Sequence, residues 1–596
     1  MPGNWLRWMS WWLAVAASAQ QAPSLREQVV VTGSWEPIPL EEADRSVRSL
    51  PVRASLLTHG GWADLLRQDP SLDLRARAPA GVQTDLSVRG GTFGQTLVLL
   101  DGMRLNDPQT GHHSLNLPVT GEALSRVEVL HGSGSTLYGA DAVGGVVNFV
   151  TAKPERWEAR VRAGAGSHGT REQGVLLEGI LGPWSQHLSA ARESSRGFMP
   201  NREYRNLAVT SITRRETKSG GVSLVLGHGD RPFGAEGFYA PYPSWERTRV
   251  WFGAVQQRWR DTRLAAAYRR HTDLFVLDRA RPEFYVNRHR SQSWQAALRR
   301  SEATGLNARL HYGVEAFRDS IVSTNLGVHA RSRAAAYAAW DVRALRRFSL
   351  SLGARQESYR PGRAPFSPTA SGGVWLNSRW KLRAAAARAF RLPSFTDLYY
   401  RDPVTRGSPE LRPESAWNCE VGADWRGERV AFSGTLFERR ERDGIDWVRL
   451  PGEQLWRAMN LQRIRMRGVE ASLLYVPVQR HRIELGWTGL SGTRRGLGEF
   501  QSRYVFNYPV QVAVATWDGA VGEKLVARMR VHAVGRLHRK AYATVDVALV
   551  WQGGRFCPFL RAYNLNGARY EEIPGVPMPG RTLAAGIELR WQRRNP

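Results

Sequence analysis

ARLHYGVEA, residues 308–316, sets Ala308, Leu310, Tyr312, Val314 and Ala316 in alternation with Arg309, His311, Gly313 and Glu315. A period of two puts the first set on one face of a β-strand and the second on the other. In WEARVRA (157–163), Trp157, Ala159, Val161 and Ala163 alternate with Glu158, Arg160 and Arg162. Near the C-terminus Leu583, Ala585, Ile587, Leu589 and Trp591 share one face. Turn signals of the DG, NG and GG type separate such runs. A water-soluble sheet of this size would bury one face and show repeats, and the sequence has none. A transmembrane barrel needs about 9–11 residues per strand, apolar toward lipid and polar toward the lumen, and it must close. Residues 154–596 number 443. Twenty-two strands of about 20 residues each, connections included, use that length. The expected fold is mainly β: a 22-stranded antiparallel transmembrane β-barrel, with the 23 tryptophans suited to an interfacial girdle.

A lumen that wide needs filling, and residues 45–153 have a different pattern. GWADLLRQDPSLDL places Trp62, Leu65 and Leu66 at helical spacing before Pro70. LSVRGG and TLVLLDGMRL read as strands, the second turning at Asp101-Gly102, and STLYGADAVGGVVNFVTAKP ends in an apolar strand. This small α/β unit is the expected plug. The charge also divides here. Residues 20–153 carry eleven basic and fourteen acidic side chains, a balance of −3, and residues 154–596 carry +31. Only five of the 83 basic residues are lysines, and the arginines form no compact stripe. A nucleic-acid partner is therefore not expected, and an anionic membrane surface or a charged lumen is.

At the N-terminus, Arg7, the apolar run WMSWWLAVAA and the Ala17-Ser18-Ala19 cleavage pattern have the form of a secretory signal, assigned to residues 1–19. EQVVVTGSW (27–35) follows, a strong β-former beside the proline-broken EPIPLEEADRS, which offers it no evident partner. Cys419 and Cys557 are too few to staple an exported chain and read as free thiols.

The segments LSVRGGTFGQTLVLLDGMRLNDPQTG, ALSRVEVLHGSGSTLYGADAVGGVVNFVTAKP and, in the barrel, RAFRLPSFTDLYYRDPVTRGSPELRPESAWNCEVGADW resemble those of TonB-dependent outer-membrane receptors. FGAEGFYAPYPSWERTR and HTDLFVLDRARPEFYVNRH are similar to barrel segments of the cobalamin (vitamin B12) transporters within that family. The resemblance implies a monomer in the outer membrane of Gram-negative type, set among lipopolysaccharide. It implies active import of a scarce, large substrate, cobalamin first and a ferric siderophore as the alternative. The different-class alternative is an outer-membrane adhesin or a passive channel. It also implies a TonB box at Val29, Val30, Val31, Thr32 and Gly33, within a box-and-linker region at 20–44, ahead of the plug at 45–153 and the barrel at 154–596. Edge pairing with TonB draws its affinity from backbone hydrogen bonds, which suits a valine-rich strand.

Carried over residue by residue, the candidate substrate contacts are Gln83, Asp85, Thr92, Thr110 and Gly111, on outward plug apices at 79–85, 91–94 and 107–114. Arg89 and Arg126 of the plug and Glu420 and Glu470 of the barrel match a plug–barrel lock. The family's acidic calcium cluster has no match, since ESSRGFMPNREYRN offers only Glu193 and Glu203, and calcium needs six to eight oxygens. His112 and His113 read as solvated loop residues. HGSGSTLYGADAVGG lacks the ending of a phosphate loop. No hydrolase or metal-ligand spacing appears, so neither an enzyme, a cofactor nor a metal site is expected.

Overall fold

A computed structural model describes residues 29–360, 362–495 and 500–592. The expected signal segment, and residues 27 and 28 of the valine-rich stretch, lie outside them.

Among the described residues, 22 long strands pair antiparallel with their sequence neighbours. The ring closes where the first, Glu158–Gly166, meets the last, Thr582–Gln592, in a register that sets Val161 against Leu589. The expected alternation is present. Val161, Val314, Leu436 and Ile587 face outward, while Glu158, His311, Glu315 and Glu588 are buried toward the lumen. One rim carries tight turns at 182–183, 218–219 and 260–261, and the other carries longer connections at 196–203, 235–244, 277–285 and 564–581. Short turns face the periplasm and long loops the exterior in this class. Trp157, Trp184, Trp259, Trp340, Trp551 and Trp591 stand exposed at the short-turn rim and form a girdle there.

The lumen is filled by an N-terminal unit built on a five-stranded sheet. Its order is Val47–Pro51, Leu124–His131, Gly145–Thr151, Thr96–Leu100 and Met103–Arg104. The strand Thr96–Leu100 turns into Met103–Arg104 through Asp101 and Gly102, both at positive φ, as a tight hairpin requires. A second ribbon, Leu72–Ala76 with Thr84–Val88, leads into the Arg89-Gly90 turn. Leu65, Leu66, Val98, Leu100, Val127 and Phe149 form the main apolar core between sheet and helix Trp62–Leu66.

One expectation is corrected. The valine-rich strand is not partnerless: Val29–Val30 pairs antiparallel with Ile38–Pro39. Proline is tolerated there because a two-residue edge ribbon makes little demand on its missing donor. Val30 is fully buried beside Ile38 and Ala43.

Leu436 lies on the outer face between Val421 and Val469, all three exposed to the bilayer. Leu436→Arg is expected to destabilise the barrel by about 2–4 kcal/mol, read from equilibrium unfolding in lipid. Thr435→Ser, on the lumen face, retains the hydroxyl to which Arg383 donates and should be near neutral.

Candidate functional site

Three places on the lumen axis carry the chemistry. At mid-depth, the Arg89 guanidinium donates through Nε and Nη2 to Glu470 at 2.8 and 2.7 Å, and through Nη1 to Glu420 at 2.6 Å. The ring of Phe437 lies 4.2 Å beneath it. Arg89 reaches both acids because its backbone sits in the left-handed region, with φ 50°, at the end of the ribbon. Arg45 stands 3.5 Å from Glu420, and His131 lies 2.8 Å from Asp69 and 3.5 Å from Glu470. Burial disfavours the imidazolium, but Asp69 and Glu470 outweigh it and hold His131 up at about 9. The same imidazolium, with hydrogen bonds from Ser71, holds the Asp69 carboxyl down at about 2 against the cost of burial.

Arg126 does not join this cluster. It pairs at 2.7 Å with the buried Glu128, two residues on along the same plug strand. Position 126 points to the opposite face of Leu124–His131 from the lumen acids, and strand alternation carries it away from them. The other oxygen of Glu128 accepts from the backbone N–H groups of Val31 and Thr32 at 2.9 and 2.7 Å. Asn148 donates to the Thr32 hydroxyl at 3.0 Å. The segment 29–33 is thus tied to the periplasmic face of the plug.

At the exterior face, Gln83, Asp85, Thr92 and Thr110 are buried rather than open, and only Gly111 is partly exposed. Asp85 accepts from His112 at 2.6 Å and pairs with Arg77 at 3.4 Å. Burial opposes its ionisation, but Arg77 and His112 hold its carboxyl well below the usual carboxylate range. Thr92 caps the turn Phe93–Gln95. The Thr110 hydroxyl accepts from His112 N–H at 3.5 Å. Gly111 has no room for a side chain, because a Cβ would fall 2.5 Å from Phe93 Cδ2. Phe93 stacks on His112 at 4.2 Å and meets Tyr504 edge-on at 4.8 Å. Gln83 donates to Tyr239 of the connection 235–244. The barrel loops therefore cover these apices, and His112 and His113 are engaged rather than solvated. Ala80 and Gly81, on the first apex, instead border an open cleft of about 320 Å³ with His59, Phe198, Arg202 and Tyr563. The broad apolar hollow lined by Leu350, Val421, Leu436, Val469 and Trp487 faces the bilayer and is no ligand site.

Residues 57–146 match the family described as the TonB-dependent receptor plug domain. Residues 191–591 match the TonB-dependent receptor-like β-barrel. The chain belongs to the TonB-dependent receptors. It is a transporter of the Gram-negative outer membrane, not an enzyme. The receptor is 25% identical over 439 residues to "Vitamin B12 transporter BtuB" of Photobacterium profundum, covering 68% of this chain and 69% of that one. It is 24% identical over 555 residues to "Iron-regulated outer membrane virulence protein" of Vibrio cholerae, covering 83% and 82%. In fold it matches the siderophore receptor PirA of Acinetobacter baumannii, with a TM-score of 0.77 at 15% identity over 91% of this chain and 98% of that one. It also matches the FrpB iron transporter of Neisseria meningitidis, with a TM-score of 0.78 at 14% identity over 91% and 99%.

Arg45, Arg77, Glu128, His131, Tyr239 and Tyr504 were not singled out from the sequence. Each contributes through a long-range contact, and no local pattern marks it. Glu128 and His131 lay in ALSRVEVLHGSGSTLYGADAVGGVVNFVTAKP and Tyr239 in FGAEGFYAPYPSWERTR, stretches that drew notice only for their resemblance.

Arg89→Ala leaves Glu420 and Glu470 buried without their main partner and should weaken plug docking by about 3–5 kcal/mol, measured as urea-induced release of the plug. Arg126→Ala should leave that midpoint unchanged. The pH dependence follows from His131, whose pKa rises from 6.5 to about 9 in the fold. Its contribution is complete below about 6.5 and is lost as pH rises through about 9. The release midpoint should fall across that window in the wild type and less so in His131→Gln.

Proposed function

We propose that this receptor imports cobalamin, drawing on TonB through the segment at residues 29–33. The observation that carries the substrate reading is the similarity to a chain named as a vitamin B12 transporter, which extends over 439 residues. Ferric-siderophore import is the second reading, favoured by the longer alignment to the iron-regulated relative. Either substrate is a bulky metal complex, and transport involves no covalent chemistry.

Gln83, Asp85, Thr92, Thr110 and Gly111 are the proposed substrate-facing positions. Supporting this, they cluster at the exterior end of the plug beneath Tyr239 and Tyr504. Asp85 is engaged by Arg77 and His112 and Gln83 by Tyr239, so binding requires the connections at 235–244 and 500–508 to give way. A covered site of this kind exchanges internal hydrogen bonds for bonds to the ligand.

The proposed handle is Val29 to Gly33, and the proposed plug–barrel lock is Arg89 with Glu420 and Glu470. TonB pairing needs free backbone groups along one strand edge. Here Glu128 occupies the N–H groups of Val31 and Thr32, and Ile38–Pro39 flanks the other side. The handle must therefore leave the plug before or while it pairs.

Equilibrium binding of cyanocobalamin and of a panel of ferric siderophores to the purified receptor separates the two readings. Cobalamin is expected to bind and the siderophores not to, and the reverse result removes the first reading. Val30→Pro fixes φ near about −65° and deletes a donor. It should abolish uptake in cells with a working TonB complex while substrate affinity persists. Val30→Thr keeps both backbone groups and should transport. Uptake by the proline variant at the wild-type rate would place the handle elsewhere.

A further inference from the structure

Above the lock, at the exterior end of the plug, three side chains from three separate elements converge. His113 lies in the turn Gly111–His113 of the plug, Glu246 near the exterior end of Trp245–Trp259, and Asp273 near that of Thr262–Val276. One ring nitrogen of His113 and one carboxylate oxygen from each acid all lie within 4.8 Å of one another. The three residues are 4%, 2% and 6% exposed, so no water layer separates them from the protein around them.

The hydrogen bonds at this point do not account for the oxygens present. Tyr239 donates to Glu246 Oε2 at 3.0 Å, and Glu246 Oε1 has no partner. Gln109 Nε2 donates to Asp273 Oδ2 at 3.1 Å and His113 Nε2 stands 3.4 Å from the same oxygen, leaving Asp273 Oδ1 and the Gln109 carbonyl oxygen without a partner. The Thr248 hydroxyl, also buried beside Glu246, is unpartnered too. Buried polar atoms are paired in the great majority of cases, and a buried carboxylate without a donor or a cation is costly. The guanidinium of Arg269 is directed to Asp107 at 2.9 Å, and that of Arg231, which lines the same small cavity as Glu246, donates through Nη2 to the Leu117 carbonyl, so neither is hydrogen-bonded to Glu246 or Asp273.

We propose that His113, Glu246 and Asp273 bind one divalent first-row transition-metal ion of the zinc type, with the Gln109 carbonyl as a fourth donor. An imidazole with carboxylates suits zinc and its neighbours, whereas calcium takes six to eight oxygens and no imidazole. Asn116 Nδ2 stands 3.4 Å from His113 Nδ1; with that amide turned over, its oxygen accepts the Nδ1 proton and leaves Nε2, 3.4 Å from Asp273 Oδ2, to the metal. Entry is from the exterior past Tyr239, which is 40% exposed on its connection. Because one ligand belongs to the plug and two to the wall, the ion fastens the plug apex to the barrel. The site stands whether the organic substrate is cobalamin or a siderophore.

The test uses the untagged, chelator-stripped receptor in detergent, titrated with Zn²⁺ and, for its visible spectrum, Co²⁺. One equivalent of each is expected to bind. Zn²⁺ should raise the melting temperature, since a ligand of the folded state stabilises it. His113→Ala and Asp273→Asn should each lower the affinity at least tenfold and remove the melting shift. His168→Ala, in a distant exterior turn, should bind as the wild type does. Asp273→Asn preserves shape, and unchanged heat-modifiable migration confirms that each variant is folded. Three results would overturn the site: no stoichiometric binding, equal binding by all variants, or stoichiometric Ca²⁺ with none of Zn²⁺ or Co²⁺.

Discussion

Within a bilayer an unpaired backbone N–H or C=O costs several kcal/mol, so the strands Glu158–Gly166 and Thr582–Gln592 can span it only by pairing with each other. They are separated by more than four hundred residues, and their union makes the wall continuous. Closure at 22 strands creates a lumen too wide for barrel side chains to fill. The N-terminal unit fills it, and its polar surface must then be satisfied against a polar wall in a place where water is scarce. The ion pairs inside the receptor follow from that sequence of demands.

The uneven charge of the two regions acquires a physical meaning in this setting. Barrel cations reach acids of the plug and of the linker before it: Arg269 to Asp107 at 2.9 Å, Arg536 to Asp73 at 2.5 Å, and Lys381 to Asp44 of the linker at 3.1 Å. Plug arginines reach barrel acids in return, as Arg89 does to Glu420 and Glu470, and Arg48 to Glu484 at 2.8 Å. Such pairs add little net stability over an apolar interface of the same shape, but each is costly to break one-sidedly. A plug held in this way keeps its register in the barrel, and it can shift only if partners move together.

Both ends of the plug are held in one arrangement. Outside, Tyr239 and Tyr504 lie over the apices; inside, Glu128 holds the segment at 29–33. The strand Leu124–His131 bears Glu128 at the segment 29–33 and, three residues on, His131 beside Glu470. Asn148, on the neighbouring strand, completes the hold on Thr32. The hold on residues 29–33 and the mid-lumen cluster are therefore built on the same sheet, and a rearrangement of one bears on the other through rigid secondary structure.

The alternation at 157–163, 308–316 and 583–591 was enough to determine a membrane barrel, because a two-residue period facing lipid and lumen leaves no other closed solution. The plug elements were legible too: the helix at Trp62, the Asp101-Gly102 turn and the strand into Phe149 each carry a local signal. What lay beyond the sequence was partnership across it. Arg89 and Arg126 looked equivalent in their strands, yet strand facing and the left-handed backbone at 89 send one to the lumen acids and the other to Glu128. The valine strand looked unpaired because its partner, Ile38–Pro39, carries the proline that usually denies pairing. His113 looked like a solvated loop residue until the fold set it against Glu246 and Asp273, more than a hundred residues away. Local periodicity is written in neighbouring residues, whereas burial and charge pairing depend on which distant strands the closed barrel brings together.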